Sequence, residues 1–236
     1  LGGKAQQNLD LRFKGISVPG GQLEFEVKRS WINDADSSND KSGIELTAIY
    51  SRPDFYGFLD GSSTVMLRTG ESVAILGNSY NAGVSDDASS TSLIAYGLAN
   101  INENWDIMPQ FVYETNDDLY GKDNPGSEDR IIAGARAVRY ITDHFSMQFE
   151  YGMESYDQED GWLDDEQLQK FTVAPTLKLD NSFWGRPELR VFATYASYDI
   201  TDGAAGGGLR NGDGIPELFR ADDSGMTYGV QTELWW

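Results

Sequence analysis

Apolar residues in this chain recur at every second position and almost never run together. Phe145, Met147, Phe149, Tyr151 and Met153 alternate with Ser146, Gln148, Glu150 and Glu154, and Leu23, Phe25 and Val27 alternate with Glu24, Glu26 and Lys28. A period of two places one set on each face of an extended strand. No run approaches the length of an apolar helix able to cross a bilayer. A membrane-spanning β-barrel stays open, because its strands are only half apolar.

The pattern predicts about eleven strands, at 8–18, 22–31, 43–51, 64–69, 92–100, 105–114, 130–141, 145–155, 168–179, 188–199 and 226–236. The segment 92–100 is apolar on both faces. Pro175 falls inside a strand, where it removes a ladder donor, and predicts a bulge or a strand end. The connections alternate in length. Those at 19–21, 101–104, 142–144 and 180–187 are short, those at 32–42, 70–91, 115–129, 156–167 and 200–225 are long, and 52–63 is intermediate. Short turns at one end and long polar loops at the other describe an all-β, transmembrane, antiparallel up-and-down barrel occupying residues 1–236 as a single domain. Such barrels close with an even strand number, and here the first strand runs in the same direction as the last. The expectation is therefore the carboxyl-terminal part of a larger barrel. A soluble β-sandwich or barrel with apolar inward faces is the competing architecture.

Charge and residue usage exclude several functions. The net charge is −20, which suits neither nucleic acid nor anionic headgroups. There is no cysteine, hence no disulfide, thiolate metal site or thiol nucleophile. His144 is the sole histidine and sits in a turn. The acidic segments at 34–40 and 211–214 lack the spacing and closing glutamate of a calcium-binding EF-hand loop. No two carboxylates stand out as a glycosidase pair. No metal, cofactor or catalytic residue is expected.

One face of the predicted strands is charged almost throughout, with Arg12, Glu26, Lys28, Arg68, Glu114, Arg136, Glu150, Lys178, Glu188, Arg190 and Glu233. In a barrel this face lines the lumen, either as a solvated wall of cross-strand pairs or as a set of partners for solute hydroxyls. Trp235 shares a face with Gln231 and Glu233, so it points to the lumen, whereas Trp236, Trp31, Tyr228 and Tyr151 fit the aromatic girdle at the membrane interface. Trp184 has the parity of Arg186, Glu188 and Arg190, and is lumen-facing if extended geometry continues through its turn; the girdle is the other reading.

Two blocks resemble a known family. The run 183–199 (FWGRPELRVFATYASYD) resembles the penultimate strand of maltoporins, and 229–236 (GVQTELWW) resembles their last strand. Weaker similarity covers 9–31, 104–116 and 145–157. The resemblance implies an eighteen-stranded barrel in the outer membrane of a Gram-negative bacterium, a homotrimer surrounded by outer-membrane lipid. It implies a channel rather than an enzyme, passing maltose and maltodextrins by facilitated diffusion. A sucrose-type or general carbohydrate porin is the near alternative, and a soluble carbohydrate-binding or hydrolysing protein the distant one. In the family, sugars slide along a track of lumen aromatics. On the matching motifs, three track positions correspond to Phe58, Trp184 and Trp235. The remaining track residues and the constriction loop lie in the family's other half.

Overall fold

The computed structural model describes residues 5–33, 40–75, 84–119, 126–158, 166–199 and 224–234. Eleven antiparallel strands form one sheet in strict sequence order. They are β1 (Ala5–Val18), β2 (Gly21–Asn33), β3 (Lys41–Phe55), β4 (Leu59–Glu71), β5 (Ser89–Asn102), β6 (Trp105–Asp117), β7 (Glu128–Tyr140), β8 (Phe145–Gln158), β9 (Glu166–Lys178), β10 (Glu188–Asp199) and β11 (Ser224–Glu233). Every strand pairs with its neighbours in sequence, and β1 and β11 are the two edges of the sheet.

The intermediate connection predicted at 52–63 is a tight hairpin instead. Residues up to Phe55 and from Leu59 belong to strands, with a register shift between Arg52 and Asp54. At the tip, Tyr56 and Gly57 both have positive φ, and the Phe58 amide donates to the Phe55 carbonyl at 3.0 Å. Positive φ at the two central residues matches the right-handed twist of the flanking strands. Gly61 just beyond is less replaceable still. Its φ is +137°, and a Cβ there would lie 1.8 Å from the Leu98 carbonyl oxygen. Gly61→Val should cost at least about 1–3 kcal/mol from the backbone conformation alone, read as a lower unfolding midpoint than the parent in detergent.

Pro175 does not make a bulge. It pairs with Met147 of β8, and β9 keeps one register with β10 from Thr176 to Val173 while direct pairing lapses between them. Pro109 in β6 behaves alike, paired with Ala135 of β7 where the β5 ladder lapses. Both prolines turn their missing donor toward one neighbour and stay in register with the other.

The distribution of burial inverts that of a soluble protein. One face carries Leu11, Phe13, Phe25, Val27, Leu46, Leu67, Leu177 and Val191, all exposed. The opposite face carries Ser30, Glu45, Ser92, Gln148, Glu166, Thr176 and Glu188, all buried. A bare apolar face with a buried polar face is the surface of a membrane barrel. The register supports closure. The outer-face row through Leu11, Val27 and Leu46 continues through Thr69, Thr91 and Thr115 to Asp129 and Asp157. It starts in mid-strand at β1 and reaches the long-loop end by β7. Such a stagger is the shear that tilted barrel strands require.

A channel wall with inward-folded connections

On the polar face, oppositely charged side chains pair across neighbouring strands. Arg12 meets Glu26 at 3.1 Å, Lys28 and Arg68 both reach Glu45 at 2.7 and 3.0 Å, and Arg136 meets Glu150 at 2.8 Å. Pairs of this kind contribute only about 0–1 kcal/mol where exposed, but they hold long side chains flat against the wall. The wall is not charged throughout. Ile49, Met66, Ile94, Val112 and Ile132 stand directly opposite one another on β3 to β7 and make an aliphatic row across the inner face. Ile94 of this row, together with Leu98 further along β5, gives 92–100 its two-sided apolar character.

At the long-loop end the chain after β4 turns inward. A short 3-10 turn, Ser72–Ala74, lies over the inner face of β2 and β3. Gly43 permits this, since a Cβ there would lie 1.9 Å from the Glu71 carbonyl oxygen. Ile75, Val84, Ala88 and Leu119 form a small apolar core beside it, and the Ser85 amide donates to the Leu119 carbonyl at 2.8 Å.

At the short-turn end the connection after β9 also folds onto the inner face. Phe183 is 5 % exposed and packs with Leu98, Val138, Tyr140 and Met108, all inner-face residues of β5, β6 and β7. Trp184 follows it, 54 % exposed, with its ring 5.0 Å from Phe183 and inclined at 73°. The extended geometry that strand parity assumes does not continue through the turn, because Ser182–Trp184 bends and the Gly185 amide donates to Ser182 at 3.2 Å. Trp184 therefore does not follow strand parity; it lies in a turn beside the buried Phe183.

Charges fasten this connection. Lys178 donates to the Ser182 carbonyl at 3.1 Å and lies 5.9 Å from the centre of the Tyr140 ring. Arg186 donates to the Gly185 and Phe183 carbonyls at 2.8 and 3.3 Å. Glu188, 1 % exposed, is faced by Lys178 at 3.5 Å, Arg186 at 3.2 Å and Arg190 at 3.2 Å. Glu233 of β11 closes the group on Arg186 at 3.0 Å and Arg190 at 3.5 Å. Behind it the Tyr140 hydroxyl donates to Asp106 at 2.6 Å. Three adjacent strands thus meet one turn through a largely buried cluster of ion pairs at 3.0–3.5 Å.

Of the predicted track residues, Phe58 sits at the tip of the β3–β4 hairpin and is 83 % exposed. Trp184 sits on the β9–β10 connection, at the same end of the sheet. Trp235 and Trp236 lie outside the described residues, as do the acidic segments 34–39 and 200–223. His144 is in the β7–β8 turn, where the Thr142 hydroxyl accepts from the His144 and Phe145 amides at 3.3 and 3.1 Å. The Phe183 socket and the aliphatic row escape a reading by strand. Their only signal in the sequence is apolar residues, such as Leu98 and Ile94, on the polar face.

A sheet that is bare and apolar outside, polar and ion-paired inside, and staggered for closure defines a β-barrel porin of an outer membrane. The LamB porin family model matches residues 3–236, so the chain belongs to the LamB porin family. That family consists of outer-membrane sugar channels of Gram-negative bacteria, not enzymes.

Proposed function

We propose that this protein passes maltose and maltodextrins across the outer membrane by facilitated diffusion, as a homotrimer, over a lumen track that includes Phe58, Trp184 and Trp235. The observation that carries the reading is Trp184, a half-exposed indole held on a connection folded over the channel wall. A glucose ring has an apolar C–H face that stacks on an aromatic plane and edge hydroxyls that need hydrogen-bond partners. Ion-paired side chains such as Arg136–Glu150 supply those partners along the wall. Transport needs contacts strong enough to draw the solute in and weak enough to let it leave. Several aromatics in succession, each contributing a modest stacking energy, meet that requirement better than one tight pocket.

The test is ion current through the full-length channel in a planar bilayer. Maltodextrins added to the bath should block the current, more tightly as the chain lengthens up to the span of the track. Trp184→Ala should weaken the block roughly three- to tenfold, the loss of one stacking contact. Absence of block by any oligosaccharide would remove the sugar-selective reading, and block by sucrose alone would make it a sucrose-type channel.

A further inference from the structure

We propose that Phe183 is a positioning residue: seated in an apolar socket of the channel wall, it fixes the β9–β10 connection and with it the Trp184 ring. The inference deepens the sugar-track reading and rests on it for its functional consequence.

The socket is a second apolar patch on the inner face, nearer the short-turn end than the aliphatic row. Phe183 forms one buried apolar cluster with Leu98 of β5 and Val138 and Tyr140 of β7, and the partly buried Met108 of β6 packs against it. Polar inner-face residues border it, among them Asn100 of β5, Asp106 of β6, and Ser146 and Gln148 of the neighbouring β8. A phenyl ring enters this socket because it removes its own apolar surface, and that of the residues it packs on, from the aqueous lumen. The backbone around the ring is then tied down. Carbonyls of Ser182, Phe183 and Gly185 accept from Lys178 and Arg186, whose charges are neutralised by Glu188 and Glu233. Asp180 braces the other side, where its carboxylate accepts from Ser182 at 2.7 Å. Among the described residues Trp184 has no comparable socket. Its described ring contact is the edge-to-face one with Phe183, so the orientation of the indole is inherited from its neighbour. A stacking platform that swings freely would lose orientational freedom each time a sugar bound, and a platform fixed beforehand avoids that cost.

The test uses the full-length channel with two readouts. A nitroxide spin label at Trp184→Cys reports motion directly, and these 236 residues contain no cysteine to compete for it. The label should be immobilised in the parent, mobile with Phe183→Ala, and immobilised again with Phe183→Leu, which keeps an apolar side chain in the socket. In current-block titrations Phe183→Ala should weaken maltodextrin binding about as much as Trp184→Ala, and the double variant should lose no more than Trp184→Ala alone. A label equally mobile in parent and Phe183→Ala channels, or additive losses in the double variant, would overturn the proposal. If Trp184→Ala leaves the block unchanged, the sugar-track reading fails by itself, and the spin label still decides whether Phe183 positions residue 184. Phe183→Leu guards against an alanine variant that does not assemble.

Discussion

Glu188→Ala should unfasten the short-turn end of the barrel and lower its stability by about 3–5 kcal/mol, the cost of leaving buried charge without its partner. Lys178, Arg186 and Arg190 have side chains only 2 %, 5 % and 12 % exposed, and all three face the Glu188 carboxylate. Without it, three positive charges share one carboxylate, Glu233, which reaches only the two arginines. Gln148 also loses its acceptor at 3.3 Å. The comparison variant is Glu150→Ala. That carboxylate pairs with Arg136 on an open part of the wall, so its loss should stay within about 1 kcal/mol. Unfolding midpoints in guanidinium for the refolded barrel in detergent give both values. Equal effects would mean that the cluster is solvated and holds nothing. Adding Lys178→Met to Glu188→Gln should recover part of the loss, since removing both members of a buried pair costs less than removing one.

The strands were legible in the sequence because membrane and water impose their alternation residue by residue. Phe145–Met153 and Leu23–Val27 needed no tertiary information. The β3–β4 hairpin was less legible. Arg52, Pro53 and Asp54 break the apolar alternation, and 60–63 reads as a polar loop, yet both segments are strands. What extends them is the turn at Tyr56–Gly57 and the bulge between Arg52 and Asp54, which a hydropathy pattern does not register. Trp184 was legible as a residue and not as a geometry. Its parity with Glu188 assumes a strand, whereas it lies in a turn beside Phe183, which clusters with Leu98 and Val138 of strands distant in sequence. Sheet order brings them together, and sheet order is not a local property. The aliphatic row Ile49–Ile132 showed only as isolated apolar residues, for the same reason. Each member looks like one apolar residue on the wrong face of its own strand, and only the register aligns them.

Register also governs the response to charge on the outer face. Val27→Arg should destabilise the barrel by about 2–4 kcal/mol, as for a cation placed near the bilayer midplane. Thr91→Arg should cost only about 0–1 kcal/mol, the value near the interface. Val27 and Thr91 belong to one hydrogen-bonded row, joined through Leu46 and Thr69. If rows ran parallel to the membrane plane the two substitutions would be equivalent. They are not, because Val27 lies in mid-strand and Thr91 lies two residues inside the long-loop end of β5. The side chains follow the same slope. Along that row the residues change from Leu and Val to Thr and then to Asp, while apolar partners reappear in lower rows at Tyr151–Phe171–Tyr195 and Phe145–Leu177–Leu189. The apolar band therefore crosses the register diagonally, as it must when strands tilt and the bilayer stays level. Arg29, on the outer face beside Leu9 and Ile44, marks how near the long-loop end β2 already tolerates a cation. Folding free energies of the two variants in lipid vesicles test the tilt directly. Equal costs at the two positions would require untilted strands, which the stagger of the sheet does not allow.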